Sequence, residues 1–176
     1  MRKKLSPRLL AMAHHVKAGE RIADIGSDHA YLPRYLVAGG ISPHAILTDA
    51  RPGPLARAKA GAELEAQPDL FDLRLGDGLE PLRNGEVETV VVAGMGGETI
   101  AAILAADPEK AGSFPKYILQ PRTKTEVLRD WIARSGWSLL ADETVEERGR
   151  ACVILVAAPK NGNTGKAGPK AAVFGS

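Results

Sequence analysis

Acidic residues and glycine-containing turns follow four apolar runs of this chain, in a pattern that suits a nucleotide-like ligand. Asp24 precedes a turn that contains Gly26, and Asp49 ends the next run 25 residues later. Asp77 lies between two glycines after the third run, and the sequence Ala-Gly-Met-Gly-Gly at 93–97 follows the fourth. In an open parallel sheet, the carboxyl ends of the strands meet at the edge where such ligands bind. The spacing therefore predicts an adenosine-containing cofactor.

The first turn favours S-adenosylmethionine (SAM) over a dinucleotide. It lacks the Gly-x-Gly-x-x-Gly sequence that binds a pyrophosphate. SAM carries a sulfonium and an ammonium group, which favour a nearby carboxylate such as Asp24 or Asp28. Asp49 could accept hydrogen bonds from both ribose hydroxyls, and Asp77 could accept one from the adenine amino group, with Gly78 leaving room for the ring. An Asp can also cap a helix or form a turn, so the prediction depends on the combined spacing of these carboxylates.

The turn at 93–97 follows the fourth predicted strand, where the methyl group of such a cofactor would point. Enzymes that methylate exocyclic amines often carry an Asn/Asp-Pro-Pro-aromatic sequence at this place, and this chain has none. Its small residues predict that the target atom is positioned by the backbone and the shape of the pocket. The alternative is that the glycines only allow the turn between strand and helix. His29 and Tyr31, beside the first turn, could stack on a flipped base, and His29 could accept a proton.

The periodicity of apolar residues predicts the scaffold that positions these residues. Strands are predicted at 21–25, 45–48, 71–75, 89–93 and 117–119, and helices at about 6–18, 32–39, 54–66, 98–106 and 123–136, the last capped by Thr123. Two further runs, at 138–143 and 151–157, flank a turn and predict an antiparallel hairpin. The order predicts an α/β fold, a class I SAM-dependent methyltransferase (Rossmann-like) with a mostly parallel sheet closed by an antiparallel hairpin. Residues 1–158 are predicted to form this domain, and residues 159–176 a disordered basic tail.

Charge and composition narrow the classes of partner. The 176 residues carry a net charge of +2 and one cysteine, and the longest apolar runs are too short to span a bilayer. Six Lys and Arg residues lie within 1–21 against a single acid, whereas the body of the chain is acidic. A basic segment beside an acidic body suits a polyanionic partner. We predict a cytoplasmic protein with no metal site, and RNA contacts by Lys3, Lys4, Arg8, Arg122 and Lys124.

Five segments together resemble one bacterial family, the tRNA (adenine(22)-N1)-methyltransferases (TrmK). They are LSPRLLAMA, ADIGSDHAYLP, GDGLEPL, VAGMGGETI and ILQPRTKTEVLRDWI, and the resemblance covers about residues 5–157. It implies a class I SAM-dependent fold and methylation of N1 of an adenine in the D-loop region of tRNA. The cofactor residues that it implies, with their neighbours, are Asp24, Gly26, Ser27, His29, Asp49, Ala50, Asp77, Gly78, Ala93 and Gly94. Gly94 to Gly97 would line the transfer site, with Gly94, Met95 and Gly96 in the catalytic set.

Adenine N1 has a lone pair in the neutral base, so no proton must leave before it attacks the methyl group. The product is cationic, and we predict that Asp28 stabilises the developing charge, with His29 and Tyr31 completing the catalytic set. Family members usually continue into a C-terminal helical domain, whereas residues 159–176 show no helical periodicity, so the chain is a minimal member or a truncated one. The alternatives are methylation of another RNA base or a small molecule, a silent SAM- or RNA-binding module, and a dinucleotide-dependent oxidoreductase.

Overall fold

The fold is built on one seven-stranded sheet. A computed structural model describes residues 4–160, so Lys3 and residues 161–176 of the predicted tail lie outside the described residues. The strand order is β3-β2-β1-β4-β5-β7-β6, with β1 to β5 parallel and β7 antiparallel to both of its neighbours. The strands are β1 (Ile22–Ile25), β2 (Ala45–Asp49), β3 (Phe71–Leu75), β4 (Thr89–Met95), β5 (Lys116–Pro121), β6 (Ser138–Glu147) and β7 (Arg150–Ala158). This architecture confirms the predicted fold class.

Helices cover both faces of the sheet because the strand side chains alternate between two apolar clusters. Ile22, Leu47 and Val91 pack with the helices on one face, whereas Ile46 and Val90 pack with those on the other. The first face carries α1 (Pro7–Ala13), α2 (Tyr31–Ala38) and α3 (Pro52–Glu63); the second carries α4 (Gly97–Ala106), α5 (Pro108–Ala111) and α6 (Thr125–Arg134). A short 3-10 helix, Pro68–Leu70, precedes β3. Within 4–160 no helix is long and apolar enough to cross a membrane.

The first helix begins as predicted and ends earlier. The Ser6 side chain accepts a hydrogen bond from the Leu9 N–H, and Pro7 occupies the first turn. The predicted extent of 6–18 is wrong, because α1 ends at Ala13. The His14 N–H still bonds the Leu10 carbonyl four residues back, whereas His15 and Val16 bond the carbonyls three residues back. Such bonds close the last turn of a helix and leave no continuing ladder.

Two further differences concern turns. Thr123 is not the cap of α6, because Lys124 holds that position in a left-handed conformation and makes no side-chain cap bond. The hairpin is longer than predicted, since β6 and β7 pair from Ser138 with Ala158 to Glu147 with Arg150. Two residues, Arg148 and Gly149, connect the strands at φ of 52° and 75°. Positive φ at both positions is what a type I′ hairpin turn requires.

Candidate active site

The parallel register brings the predicted cofactor residues to one edge of the sheet. Ile25 pairs with Thr48 on one side and Val92 on the other, so the loops after β1, β2 and β4 emerge together. The N–H groups of Gly26 and Ser27 both donate to the carbonyl of Thr48 at 2.9 Å. These bonds fix the first loop against the end of β2. The Gly76 N–H makes the equivalent bond, at 3.0 Å, to the Asp49 carbonyl.

The loop after β1 adopts backbone conformations that most residues avoid. Gly26 has φ of 77°, and a Cβ there would lie 2.6 Å from the Met95 Cε. Two consecutive non-glycine residues, His29 and Ala30, have φ of 63° and 54°. Left-handed conformations of this kind cost of order 1 kcal/mol each and concentrate at ligand-binding turns. The loop thus presents the start of α2, whose N-terminal N–H groups have no side-chain cap, to the same edge of the sheet.

Asp24, on β1 directly before this loop, is partly buried. Burial raises the pKa of its carboxyl group to about 7, and a hydrogen bond with Ser27 and the charge of Arg8 oppose that shift. The negative charge of Asp49 adds a smaller upward contribution. A carboxyl group that titrates near neutral pH beside a ligand loop is typical of a functional site.

Asp49 ends β2 and does not cap the following helix. Its Oδ1 accepts a hydrogen bond from the Arg51 N–H at 2.9 Å, and α3 begins at Pro52 with no side-chain cap. Only 7% of the Asp49 side chain is exposed, so its carboxylate is buried at the sheet edge, and we call this position the floor of the site. Beside it, the buried Thr48 hydroxyl has no hydrogen-bond partner among residues 4–160. The alternative that Asp49 caps the following helix is therefore excluded.

The remaining predicted cofactor residues lie around this floor. Asp77 is exposed, and its backbone carbonyl accepts from the Glu80 N–H. Gly78 has φ of 53°, and a Cβ there would lie 3.3 Å from the Ile103 side chain. Ala50 is exposed and Ala93 partly buried. The structure thus places the predicted cofactor residues along the ends of β1 to β4.

The glycine-rich turn after β4 is locked onto the loop after β5. Gly97 donates to the Thr123 carbonyl at 2.7 Å, and Arg122 donates from its backbone N–H to the Met95 carbonyl at 2.8 Å. A Cβ at Gly97 would overlap the Lys124 carbonyl group, whereas one at Gly94 (φ 74°) would meet nothing within 4 Å. Gly97 therefore serves packing, and Gly94 opens space on the exposed side of the turn.

A hydrogen-bonded network joins this turn to α1. The buried Gln120 accepts through its Oε1 from Arg8 Nη1 at 3.1 Å and from the Gly94 N–H at 3.2 Å. The Arg8 Nε lies 3.5 Å from Glu147 on β6. Arg8, predicted to contact RNA, is thus partly buried and paired. The predicted Lys124 pairs with Glu98 at 3.1 Å, while Lys4 and Arg122 are exposed.

Asp28, His29 and Tyr31 form the outer wall of the first loop. Asp28 accepts two hydrogen bonds from Arg57 on α3, from Nε at 2.7 Å and Nη2 at 3.2 Å. This pairing holds the pKa of Asp28 below its usual value, so the carboxylate is ionised at neutral pH. The rings of His29 and Tyr31 stack with centroids 5.3 Å apart and planes 9° apart. The wall therefore combines a carboxylate paired with Arg57 and a partly exposed aromatic surface.

The contacts or roles of several residues at this edge were not predicted from the sequence. Arg57 was missed because its partner Asp28 is 29 residues away in the sequence. The segment 120–122 was expected at the pocket rim, but the bond from Gly94 to Gln120, 26 residues apart, was not predicted. Arg148 and Arg150 were interpreted only as part of the turn of the predicted hairpin. Within 4–160 no group of three His, Cys, Asp or Glu side chains could hold a metal ion.

Comparison with known proteins gives consistent matches over this same region. The sequence profile of a family described as "Methyltransferase domain" matches residues 5–155. The chain is 38% identical over 154 residues to the tRNA (adenine(22)-N(1))-methyltransferase of Bacillus subtilis, covering 88% of this chain and 65% of that protein. It therefore spans slightly less than two thirds of that relative.

Solved structures show similarity to the same kind of protein. A putative tRNA (m1A22) methyltransferase from Streptococcus pneumoniae, in complex with S-adenosyl-L-methionine, is 34% identical with a TM-score of 0.84, covering 89% of this chain and 73% of that one. TrmK from M. capricolum, in complex with S-adenosyl-homocysteine, is 29% identical with a TM-score of 0.81, covering 90% and 70%. The predicted family resemblance is confirmed.

Proposed function

This chain belongs to the family of bacterial tRNA (adenine(22)-N1)-methyltransferases, and we propose that it transfers a methyl group from SAM to N1 of adenine 22 in tRNA. The observation that supports this most strongly is that the matched region contains the whole edge of the sheet described above. Asp24, Asp49 and the turn at 93–97 meet there in one chain that is similar to a SAM-bound relative. A tRNA substrate also implies a cytoplasmic location.

The residues present fit SAM. Asp49 is buried with one oxygen already bonded to the Arg51 N–H, and a carboxylate held in this way is suited to accept hydrogen bonds from a ribose diol. Asp24 would face the ammonium group, and Asp77 with Gly78 would border the adenine. When bound, SAM supplies an electrophilic methyl group on a cationic sulfur.

The chain's own residues then have to position the base. The stacked His29 and Tyr31 offer a surface on which an unstacked adenine could lie. Gly94 leaves open space at the turn, so the backbone can approach the base edge closely. Alignment of N1 with the methyl carbon can supply much of the barrier reduction, because no proton has to be removed first.

Asp28 would act on the cationic product. Its carboxylate is ionised, which suits stabilisation of a developing positive charge. Arg57 neutralises part of that charge while it fixes the orientation of the carboxylate. We therefore assign Asp28 an electrostatic role and Arg57 a positioning role.

The test is transfer of labelled methyl from SAM to an unmodified tRNA transcript, followed by identification of the modified nucleoside. We expect N1-methyladenosine as the labelled product. Label in another nucleoside would replace the proposed target, and label only in small-molecule acceptors would replace the substrate class. SAM binding without transfer to any acceptor would support the silent-module alternative.

A further inference from the structure

We propose that a cleft beside the transfer turn binds backbone phosphates of the tRNA substrate, an inference that rests on the proposed function. The cleft has a volume of about 660 Å³ and lies between α1, the end of β5 and the hairpin tip. Its lining includes Arg8, Arg122, Arg148 and Arg150, and we call it the arginine cleft. Of these, Arg148 and Arg150 were not among the residues expected to contact RNA.

Three of the four arginines that line this cleft differ from the other arginines in their pairing. Nine of the twelve arginines within 4–160 make an ion pair with a carboxylate. The three for which the described residues provide no carboxylate partner are Arg122, Arg148 and Arg150, and all three line the arginine cleft. A chain that pairs its arginines elsewhere thus leaves three guanidinium groups around one cavity.

The one acidic side chain of the lining does not balance these charges. Glu147 is already bonded to Arg8, whose N–H donates to it at 3.1 Å and whose Nε lies 3.5 Å away. Among residues 4–160, Arg122, Arg148 and Arg150 thus have no carboxylate partner, and three positive charges that line one cavity would attract an anion. Guanidinium groups match the oxygens of a phosphate in a two-pronged geometry, which makes phosphate the fitting anion.

Arg148 is an unusual residue for its position, although the type I′ turn itself accounts for the positive φ. It lies at the hairpin tip with φ of 52°, a position where Asn or Gly would be less strained. An arginine here directs a long cationic side chain from a rigid two-residue turn, at a cost in local stability. Such observed strain is found where the side chain has a role in binding.

The location of the arginine cleft joins it to the transfer site. Gly94 of the turn lines the cleft, and so does Gln120, which bonds both Gly94 and Arg8. RNA backbone held by the three free arginines would pass directly beside that turn. The volume of about 660 Å³ exceeds that of a single ion, so we assign the cleft to the RNA backbone next to the target adenine.

The experiment compares two double variants of the full chain that lose the same charge. One is Arg148→Asn with Arg150→Gln, in which Asn suits the left-handed turn. The matched control is Arg83→Gln with Arg134→Gln, at arginines whose side chains are 84% and 81% exposed and paired elsewhere on the surface. Binding to an unmodified tRNA transcript is measured by fluorescence anisotropy over a series of salt concentrations, with SAM affinity and thermal unfolding measured in parallel. Arg122→Gln, outside the hairpin, provides a variant that does not depend on the turn.

We expect the cleft variant to bind tRNA at least about tenfold more weakly than the wild type, and the salt slope to fall by about 0.7 to 0.9 for each lost phosphate contact. The control should stay within about twofold, and SAM affinity should be unchanged in both. Arg122→Gln should weaken binding in the same direction. The inference is overturned if the cleft variant binds no more weakly than the control, or if the wild type does not bind tRNA. If the cleft variant is misfolded, the inference is overturned when Arg122→Gln has no effect on tRNA binding. Failure of the proposed function is a different result, in which tRNA binds through the cleft and receives no methyl group.

Discussion

Replacement of Asp49 by Ala should weaken SAM binding by more than 100-fold. Asp49 is buried, and its carboxylate is fixed by the Arg51 N–H, so it can accept the ribose hydroxyls without reorganising. A hydrogen bond to a charged group contributes about 1.5 to 3 kcal/mol, so two of them amount to at least about 3 kcal/mol. Each 1.4 kcal/mol is roughly tenfold in affinity.

Isothermal titration calorimetry with SAM measures this effect directly. Asp49→Asn is the matched control, because its amide oxygen can keep the bond to the Arg51 N–H while the charge is lost. We expect Asn to lie between wild type and Ala in affinity. Asp49→Ala should also unfold about 1 kcal/mol more easily, since it leaves the Arg51 N–H without that acceptor. A SAM affinity of Asp49→Ala within about threefold of the wild type would refute the ribose assignment.

Three further predictions test other parts of the site. Asp28→Ala should lower turnover while leaving SAM affinity nearly intact, and equal turnover would remove its electrostatic role. Burial raises the pKa of Asp24 to about 7, so the folded state holds a proton that the unfolded chain releases near pH 4. The stability from this group is therefore greatest below pH 4 and is lost as the pH rises to about 7. Relative to Asp24→Asn, the free energy of unfolding of the wild type should fall by ~3 to 4 kcal/mol across that window. A difference between the two proteins that does not change with pH would contradict the assignment. Gly97→Ala should destabilise the fold by about 3 kcal/mol in denaturant titration because its Cβ overlaps the Lys124 carbonyl, whereas Gly94→Ala should cost only about 1 kcal/mol; equal losses would contradict the packing argument.

The parallel scaffold could be predicted because its signals are local. Val90, Val91 and Val92 form a continuous apolar run, as expected of a strand that is buried on both faces. The alternation of such runs with helical periodicity determines the class of fold. The end of α1 was less predictable, because it depends on tighter bonds such as that from His15 to Met12.

The candidate site was predictable as positions along the sheet edge, and less so as contacts. The spacing of Asp24 and Asp49 indicated a cofactor edge, but the pairing of Asp28 with Arg57 joins elements that only the folded chain brings together. The role of Gly97 likewise depends on the carbonyl of Lys124 in another loop. The free arginines of the hairpin stand out only once the ion pairs of the other arginines are known.

The proposed methylation of N1 of adenine 22 is tested most directly with paired tRNA transcripts. The transcripts would be identical except that one carries adenine and the other guanine at position 22, and each would be incubated with the full chain and labelled SAM. We expect label in the adenine transcript, recovered as N1-methyladenosine, and none in the guanine transcript. Equal labelling of both transcripts would contradict it, as would SAM binding without label in either.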